Sequence, residues 1–150
     1  MVPACKSQIK QDIKNEVDRR WNKRWSRTTT ARQSWLLWPT INNNRSCQLL
    51  LCNRDEFAAL VRMLTGHNNL NRHSALCGEV ESADCRFCQD EEETAIHLLS
   101  DCPAFDGVRL RLLGKDRTDA GQLSQMPLDG LRRFITLLRR ELSDLGLEKV

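Results

Sequence analysis

The chain has 150 residues, of which 40% are hydrophobic and 29% are charged, with seven cysteines and no tyrosine. That length suits one compact domain or two very small ones. No stretch approaches the roughly 20 apolar residues that span a bilayer, and the N-terminus lacks the apolar run of a signal peptide. These features predict a soluble intracellular protein of the nucleus or cytoplasm, with no membrane partner.

Charge is strongly segregated along the chain, although the net charge is only +3. Residues 1–35 carry nine Lys or Arg against three acids, and residues 36–76 carry four against two. Residues 77–106 reverse this balance with one against nine, and residues 107–150 carry nine against six. A uniform surface would not show this pattern, so any function must account for the acidic block.

The first predicted element is a basic helix over residues 6–25, which the β-branched run Thr28–Thr30 ends. Its apolar residues recur every four positions and therefore stay on one side of a helix. These apolar residues are Ile9, Ile13, Val17, Trp21 and Trp25. Residues 31–52, which contain Pro39 and three successive asparagines, are predicted to be mostly irregular with short extended pieces.

A clearer helix is predicted over residues 54–65. Asn53 can cap it, and Glu56, three positions on, supplies the reciprocal partner of a capping box. Gly66 is a natural stop. The helical spacing predicts one buried face, formed by Phe57, Leu60, Val61 and Leu64.

The C-terminal third is predicted to contain two more helices. Pro103 opens a short helix that ends at Gly114, with Phe105, Val108 and Leu112 on one side, and residues 115–127 form a loop. The last helix runs from about Leu128 to Leu145, and its apolar face either pairs with a second helix or folds back on the chain's own core. That face consists of Leu131, Phe134, Ile135, Leu138, Leu142 and Leu145.

Three cysteines and one histidine follow the spacing Cys-x2-Cys-x8-His-x4-Cys, at Cys85, Cys88, His97 and Cys102. A Cys-x2-Cys pair lets two sulfurs converge from one tight turn, and the other two side chains can complete a tetrahedron. Intracellular thiols stay reduced, so this order favours Zn²⁺ over disulfides, and four protein ligands make the site structural. Considered singly, Cys85 and Cys88 also fit a redox pair or ordinary buried cysteines, and His97 fits a surface position. Cys77 could replace one of the four ligands if the register is different.

The residues between the ligands predict a short helix inside the metal segment. Asp90 and Glu93 have the spacing of a capping box, which predicts a helix that begins there. Cys102 lies five positions after His97, so a continued helix would point the two apart. The chain is therefore expected to leave the helix near Ser100–Asp101, and Pro103 disfavours helix at Cys102.

The stretches LTGHNNLNRHSALC and CRFCQDEEETAIHLLSDCPAFDGVRLRLL resemble the C-terminal region of non-LTR retrotransposon polyproteins of the jockey-like kind. In those proteins a segment beginning LTGH precedes a Cys–Cys–His–Cys knuckle, after the reverse transcriptase and RNase H domains. The upstream basic stretch with WNKRW is similar to the linker that follows RNase H. The resemblance covers roughly residues 6–113.

This resemblance implies that Cys85, Cys88, His97 and Cys102 are zinc ligands, and that the chain holds template RNA or target DNA. The chain begins after the point where RNase H carboxylates would lie, and the paired aspartates of a reverse transcriptase are missing. No enzymatic activity is therefore predicted. Gly66 and His67 match a recurring family motif whose role the motif does not reveal. The other interpretation of His67 is a cap at the C-terminus of the helix, where it interacts with the helix dipole. His73 is interpreted as a polar surface residue.

The sequence thus predicts a mainly α protein, a small helical assembly with a zinc-knuckle hairpin. Three segments are expected: the basic helix and linker over residues 1–52, the central helix and knuckle over residues 53–114, and the loop and amphipathic helix over residues 115–150. They are expected to form one loose domain from which the first helix projects.

Nucleic-acid contacts are predicted mainly in the basic helix, because the acidic metal segment should repel phosphate. Tryptophans of the helix and Phe87 of the knuckle could stack on unpaired bases, although packing is equally open for Phe87 and a core position is favoured for Trp21. Binding to single-stranded RNA or DNA would be largely sequence-independent and would weaken steeply with salt. The predicted contact residues are Lys10, Lys14, Arg19, Arg20, Lys23, Arg24, Trp25, Arg27, Arg32 and Phe87.

Two other hypotheses remain open at this point. In one, the zinc hairpin is a scaffold whose acidic face binds a basic protein partner or the basic helix of another copy. The C-terminal helix could also pair with the same helix of a second copy. In an intramolecular form of this hypothesis, the acidic residues 77–106 pack against the basic residues 6–25, and their charges cancel. In the other, the chain is an element remnant without a present function.

Overall fold

The structure is a computed structural model that describes residues 5–144, apart from the side chains of Leu142 and Asp144. Within these residues it is built from helices and contains no strand, which confirms the mainly α prediction. The α-helices are α1 (Lys6–Trp25), α2 (Arg32–Leu37), α3 (Asn43–Leu50), α4 (Arg54–Thr65), α5 (Asn71–Leu76), α6 (Ala95–Ser100), α7 (Asp106–Leu113), α8 (Ala120–Gln125) and α9 (Leu128–Asp144). A 3-10 turn, Pro103–Phe105, leads into α7.

The core forms where α4 and α9 pack together, with α2, α7 and α8 around them. The central side chains include Leu60 and Met63 of α4 and Phe134 of α9, all at most 1% exposed. Phe134 also meets Phe105 edge to face, with ring centroids 5.9 Å apart. Since Phe105 follows the last metal-ligand candidate by three residues, this contact ties the cysteine segment to the core.

The amphipathic face of α9 folds back on the chain's own core. Its four described apolar residues are buried, namely Leu131, Phe134, Ile135 and Leu138. The other two predicted members are the side chain of Leu142, which the structure does not describe, and Leu145, which lies outside the described residues. The face therefore contributes to folding over the part that the structure describes, as the second of the two interpretations expected.

Both ends of α4 follow the sequence prediction. The Asn53 side chain accepts hydrogen bonds from the backbone N–H of Glu56, and the Glu56 carboxylate accepts one from the N–H of Asn53. Gly66 ends the helix in the left-handed conformation, with φ of 78°, which L side chains rarely adopt. The capping box and the glycine stop are confirmed.

The buried face of α4 is rotated from the predicted one. Phe57 is 37% exposed, so its predicted burial is wrong, and Val61 is only half-buried. Ala59 and Met63 are buried instead, together with Leu60 and Leu64. At about 100° per residue this moves the face by roughly 80°. The cause is tertiary, since α4 packs against α2 and α9, and the Gln33 side chain of α2 donates to the carbonyl of Met63.

Two segments predicted to be irregular contain helices. Residues 31–52 hold α2 and α3, and the asparagines taken for a turn include the N-cap of α3, because Asn42 accepts from the N–H of Arg45. Residues 115–127 hold α8, which Asp119 caps by accepting from the N–H of Gln122. The prediction of an irregular segment over residues 31–52 and of a loop over residues 115–127 is therefore wrong. These short helices depend on packing against the rest of the chain as well as on their caps. None of the helices in residues 5–144 has the length and apolar character needed to cross a bilayer.

Candidate metal centre

The structure brings all four predicted metal ligands together. The ligand atoms of Cys85, Cys88, His97 and Cys102 all lie within 4.8 Å of one another. The sulfurs of Cys85 and Cys102 are 3.9 Å apart, and the sulfur of Cys88 is 3.3 Å from Nε2 of His97. A tetrahedral ion with Zn–S bonds of about 2.3 Å holds two sulfurs roughly 3.8 Å apart. The group therefore has the size of a four-coordinate site that could hold a metal ion.

Backbone hydrogen bonds shape the loop that carries the first two cysteines. Gln89 N–H donates to the carbonyl of Cys85, 2.8 Å away, and Gln89 adopts a positive φ of 61° that closes the turn. The flanking chains run antiparallel, since the N–H of Cys85 donates to the carbonyl of Glu91 at 2.7 Å. Asp84 and Glu92 form an isolated antiparallel bridge. This turn points both sulfurs to the same side.

Helix α6 supplies the histidine, but it begins later than the sequence predicted. Thr94 is its N-cap and accepts from the N–H of His97 at 2.9 Å. The predicted capping box at Asp90 and Glu93 is wrong, because Glu93 is fully buried and its carboxylate pairs with Arg86 at 2.6 Å. The acidic residues before Thr94 belong to the loop and its bridge.

The exit from α6 follows the prediction. The helix ends at Ser100, and the N–H groups of Asp101 and Cys102 both donate to the carbonyl of His97, at 3.0 and 2.9 Å. This tight turn brings Cys102 back beside His97, which a continued helix would not do. Cys102 is fully buried against the core.

Two carboxylates hold the far side of the histidine ring. Nδ1 of His97 is 3.1 Å from Oδ1 of Asp101 and 3.3 Å from Oε2 of Glu91, whereas Nε2 faces Cys88. A carboxylate on one ring nitrogen fixes the tautomer and makes the other nitrogen a better ligand. The ring is thus oriented with Nε2 toward the cysteines. The sequence identified the candidate ligands but not these supporting carboxylates.

A buried arginine, Arg109 of α7, holds the end of this segment and was missed by the sequence analysis. Its guanidinium is fully buried and donates to the carbonyl oxygens of Leu98 and Cys102, at 3.0 and 2.5 Å. It also donates to the carbonyl of Asp116 and pairs with Asp106. The available signal was a lone cation between the apolar positions Val108 and Leu110, which by itself does not distinguish burial from exposure.

The thiols differ in how their surroundings affect ionisation. Burial raises the pKa of the Cys102 thiol to about 12 and also raises the pKa of Cys85. Partial burial acts the same way on Cys88, but hydrogen bonds to its sulfur, the largest of them from the backbone N–H of Asp90, outweigh it and lower the pKa to about 7. A bound cation favours the thiolate form at all three positions.

The other cysteines take no part in the cluster. Cys5, Cys47 and Cys77 are exposed and Cys52 is half-buried. Cys77, considered above as a substitute ligand, lies instead beside His73 on α5. Phe87, predicted to stack on a base, packs edge to face against Phe105 with centroids 4.8 Å apart. These contacts favour the packing interpretation of Phe87.

The predicted nucleic-acid residues lie mostly on α1, away from the metal centre. No residue of α1 is buried. Its C-terminal end is attached by Trp25, whose Nε1 donates to the carbonyl of Trp38 at 2.8 Å, and by Asn22, whose Oδ1 accepts from the N–H of Ile41 at 3.0 Å. The predicted core position of Trp21 is wrong, since its side chain is 51% exposed.

The predicted cations differ in their surroundings. Arg19 and Arg20 both pair with Glu16, at 2.7 and 2.6 Å. Nε of Arg32 reaches only the carbonyl of Thr29, 3.4 Å away. The other predicted cations form no ion pair within residues 5–144, and these are Lys10, Lys14, Lys23, Arg24 and Arg27. They remain available to an external anion.

Comparison with known proteins identifies no relative. No family model, no curated protein and no solved structure matches this chain. The functional argument therefore depends on the geometry of its own residues.

Proposed function

We propose that this chain is a non-catalytic, zinc-binding module that holds single-stranded RNA or DNA through α1, derived from the tail of a non-LTR retrotransposon polyprotein. The observation that carries the binding proposal is α1 itself, a 20-residue basic helix without a buried residue. A helix that contributed mainly to folding would bury its apolar stripe. The origin is supported by the sequence resemblance alone.

The metal is proposed to be Zn²⁺ because of the donor set. Three sulfurs and one imidazole nitrogen converge from Cys85, Cys88, Cys102 and His97. Thiolates and imidazole suit Zn²⁺, whereas Mg²⁺ and Ca²⁺ prefer oxygen ligands. Four protein ligands, two of them fully buried cysteines, leave no position for substrate. The ion would therefore hold the segment together without performing chemistry.

The exposed face of α1 combines cations with apolar side chains. At about 100° per residue, Lys10 and Arg24 project on the same side as Ile13 and Val17, and Asp18 projects on the other side. The apolar residues Ile9, Ile13, Val17 and Trp21 are between 45% and 60% exposed. Unpaired nucleic acid offers the matching surface, because it presents phosphates and unstacked bases together.

The two tryptophans of α1 provide a stacking surface. The rings of Trp21 and Trp25 are nearly parallel, at 9°, with centroids 6.5 Å apart. With Arg24 and Thr28 they line a hollow of about 290 Å³. Trp25 fixes this pair to the body through Trp38, and Trp21 exposes its ring. A base is expected to stack on Trp21, with Arg24 beside its phosphate.

The acidic block is compensated by residues outside α1. Glu92 pairs with Arg72 at 2.6 Å and Glu93 pairs with Arg86 at 2.6 Å. Within residues 5–144 no ion pair joins α1 to residues 77–106. The internal neutralisation considered above therefore lacks ion pairs to support it, which leaves the positive charge of α1 for a partner.

A titration with labelled single-stranded RNA tests the binding proposal. The triple variant Lys23→Glu, Arg24→Glu, Arg27→Glu is expected to lower affinity by about 100-fold at roughly 100 mM salt and to flatten the salt dependence. The matched control reverses three exposed cations on α7 and the following loop, Arg111→Glu, Lys115→Glu and Arg117→Glu, with the same change in net charge. No complex at low salt, or an equal loss in both variants, would contradict the proposal.

A zinc-stapled protein-interaction module is the second candidate. It is favoured by the exposed acids that precede and enter the metal loop, Glu79, Glu81 and Asp84. A basic peptide is the partner that this surface fits. Neutralising the three acids, with Glu79→Gln, Glu81→Gln and Asp84→Asn, should then abolish peptide binding and leave the RNA titration unchanged.

A further inference from the structure

A second group of metal-ligating side chains lies outside the Cys3His centre, where α4 is joined to α5. Sγ of Cys77, the C-cap residue of α5, is 3.8 Å from Nε2 of His73, one helical turn earlier. The ring of His67, in the connection between the helices, meets the His73 ring edge-on with centroids 5.9 Å apart. All three residue types are common ligands of transition metals.

The spacing of His73 and Cys77 fits a shared ion. A tetrahedral ion with bonds of about 2.3 Å to sulfur and 2.0 Å to nitrogen holds those two atoms roughly 3.5 Å apart. The observed separation of 3.8 Å needs only a small adjustment. His67 is exposed, so its side chain can rotate toward the pair without disturbing the core.

The backbone places His67 near α5. Gly66 has φ of 78° and ends α4, which turns the chain so that the next residue lies over His73. A Cβ at Gly66 would stand 2.9 Å from Oε1 of Gln33, so this turn also packs closely against the neighbouring side chain. The Gly66–His67 pair singled out in the sequence thereby acquires a physical role.

The charged side chains that line the small hollow beside His73 are paired, so no free positive charge among them opposes a cation. Glu93 lines the same small hollow as His73, is fully buried, and its Oε1 has no hydrogen-bond partner within the described residues. Arg72, which also lines the hollow, is already paired with Glu92 at 2.6 Å. The other oxygen of Glu93, Oε2, pairs with Arg86 at 2.6 Å, so Oε1 is its one oxygen without a partner among the described residues.

We propose that His67, His73 and Cys77 form a second site for a borderline-soft divalent cation of the Zn²⁺ class. The three side chains supply two imidazole nitrogens and one sulfur, and water occupies the fourth position. On binding, the Cys77 thiol releases its proton to the solvent and no electron is transferred. Because the site is exposed and has one thiolate, it binds more weakly than the Cys3His centre. The proposal is independent of nucleic-acid binding.

Cobalt titration of the full chain loaded with one equivalent of Zn²⁺, which fills the tighter Cys3His centre, tests the site, because Co²⁺ adopts the same geometry as Zn²⁺ and is coloured. We expect one further equivalent to bind, with visible bands of a tetrahedral ion and the charge-transfer band of a single thiolate. Cys77→Ser is expected to remove that band, and His73→Asn to lower the affinity for Co²⁺ at least tenfold. Cys47→Ser, which removes another exposed cysteine, is the matched control and should leave the titration unchanged.

Metal content separates this site from the first one. Chains purified with excess Zn²⁺ should carry two equivalents in the wild type and one in Cys77→Ser. A single equivalent in the wild type, or a Co²⁺ band that survives Cys77→Ser, would overturn the proposal. An unchanged Co²⁺ affinity in His67→Asn would overturn the three-ligand site.

Discussion

The guanidinium of Arg109 donates a hydrogen bond to the carbonyl oxygen of Cys102, 2.5 Å away, in a fully buried position. The same side chain reaches the carbonyl of Leu98, one residue after the candidate ligand His97. One cation thus holds two backbone groups that flank the turn between His97 and Cys102. The stability of α7 and the geometry of the metal centre are expected to depend on each other.

Replacing Arg109 should lower both the stability of the fold and the affinity of the metal centre for Zn²⁺. Arg109→Met leaves several buried carbonyl oxygens without donors, which costs about 3 kcal/mol or more of unfolding free energy. We expect a lower urea midpoint and at least tenfold weaker Zn²⁺ binding in a competition with a coloured chelator. Arg111→Met, at an exposed position of the same helix, is the control and should change neither. A destabilised variant with unchanged Zn²⁺ affinity would show that the arginine supports only the fold.

Removing the metal should destabilise the whole domain and not only the loop. Cys85 and Cys102 are fully buried in the same cluster as Leu98 and Phe105, so the centre is continuous with the core. With a chelator we expect the thermal midpoint of helical circular dichroism to fall by roughly 10 °C or more, and to recover when Zn²⁺ is restored. Amide exchange that accelerates only in residues 84–103, with α4 and α9 unaffected, would instead indicate a local staple.

Alanine substitutions of Trp21 and Trp25 should affect RNA binding and the free energy of unfolding to different extents. Trp21→Ala removes an exposed ring and is expected to change the unfolding free energy by less than about 1 kcal/mol while weakening RNA binding about tenfold. Trp25→Ala also removes the hydrogen bond to Trp38 and should cost about 1 to 2 kcal/mol. Thermal melts and the RNA titration, done on both variants, check the contrast. Equal binding by wild type and Trp21→Ala would exclude stacking on this ring.

The pH dependence of α1 is expected to follow Glu16. Hydrogen bonds from Arg19 and then Arg20 lower the pKa of this carboxyl from 4.5 to about 2. A lowered folded-state pKa gives stability that is complete above the unfolded value and is lost as the pH falls through the folded one. Helicity of α1 should therefore decrease between about pH 4.5 and pH 2, most clearly at low salt. Amide exchange of α1, followed across this pH range, checks the prediction, and the Glu16→Gln variant should lose the pH dependence.

Local signals in the sequence were sufficient for several features of the fold. The capping box at Asn53, the glycine stop at Gly66 and the turn after Ser100 depend on interactions within about five residues, and the structure has all three. The cysteine and histidine spacing is likewise short-range, because a tight turn and one helix place the ligands. The four side chains converge as that spacing predicted.

Long-range packing decided what the sequence left open or had wrong. The N-cap signals of α3 and α8 were present at Asn42 and Asp119, but only contacts with the rest of the chain make such short helices stable. Glu93 fits a capping box by spacing, yet its pairing with Arg86 places it in the interior. Which side of α4 is buried depended on where α2 and α9 lie.

The sequence by itself determined the helical class, the ends of several helices and which four candidate ligands come together, because each follows from residue type and short spacing. Only the tertiary structure decided that the apolar stripe of α1 stays exposed, that Arg109 is buried, and that His67 lies over His73. Burial depends on what packs against a surface, and spacing alone does not show that Leu98 of α6, Cys102 and Asp116 of the loop after α7 all turn their carbonyl oxygens toward Arg109.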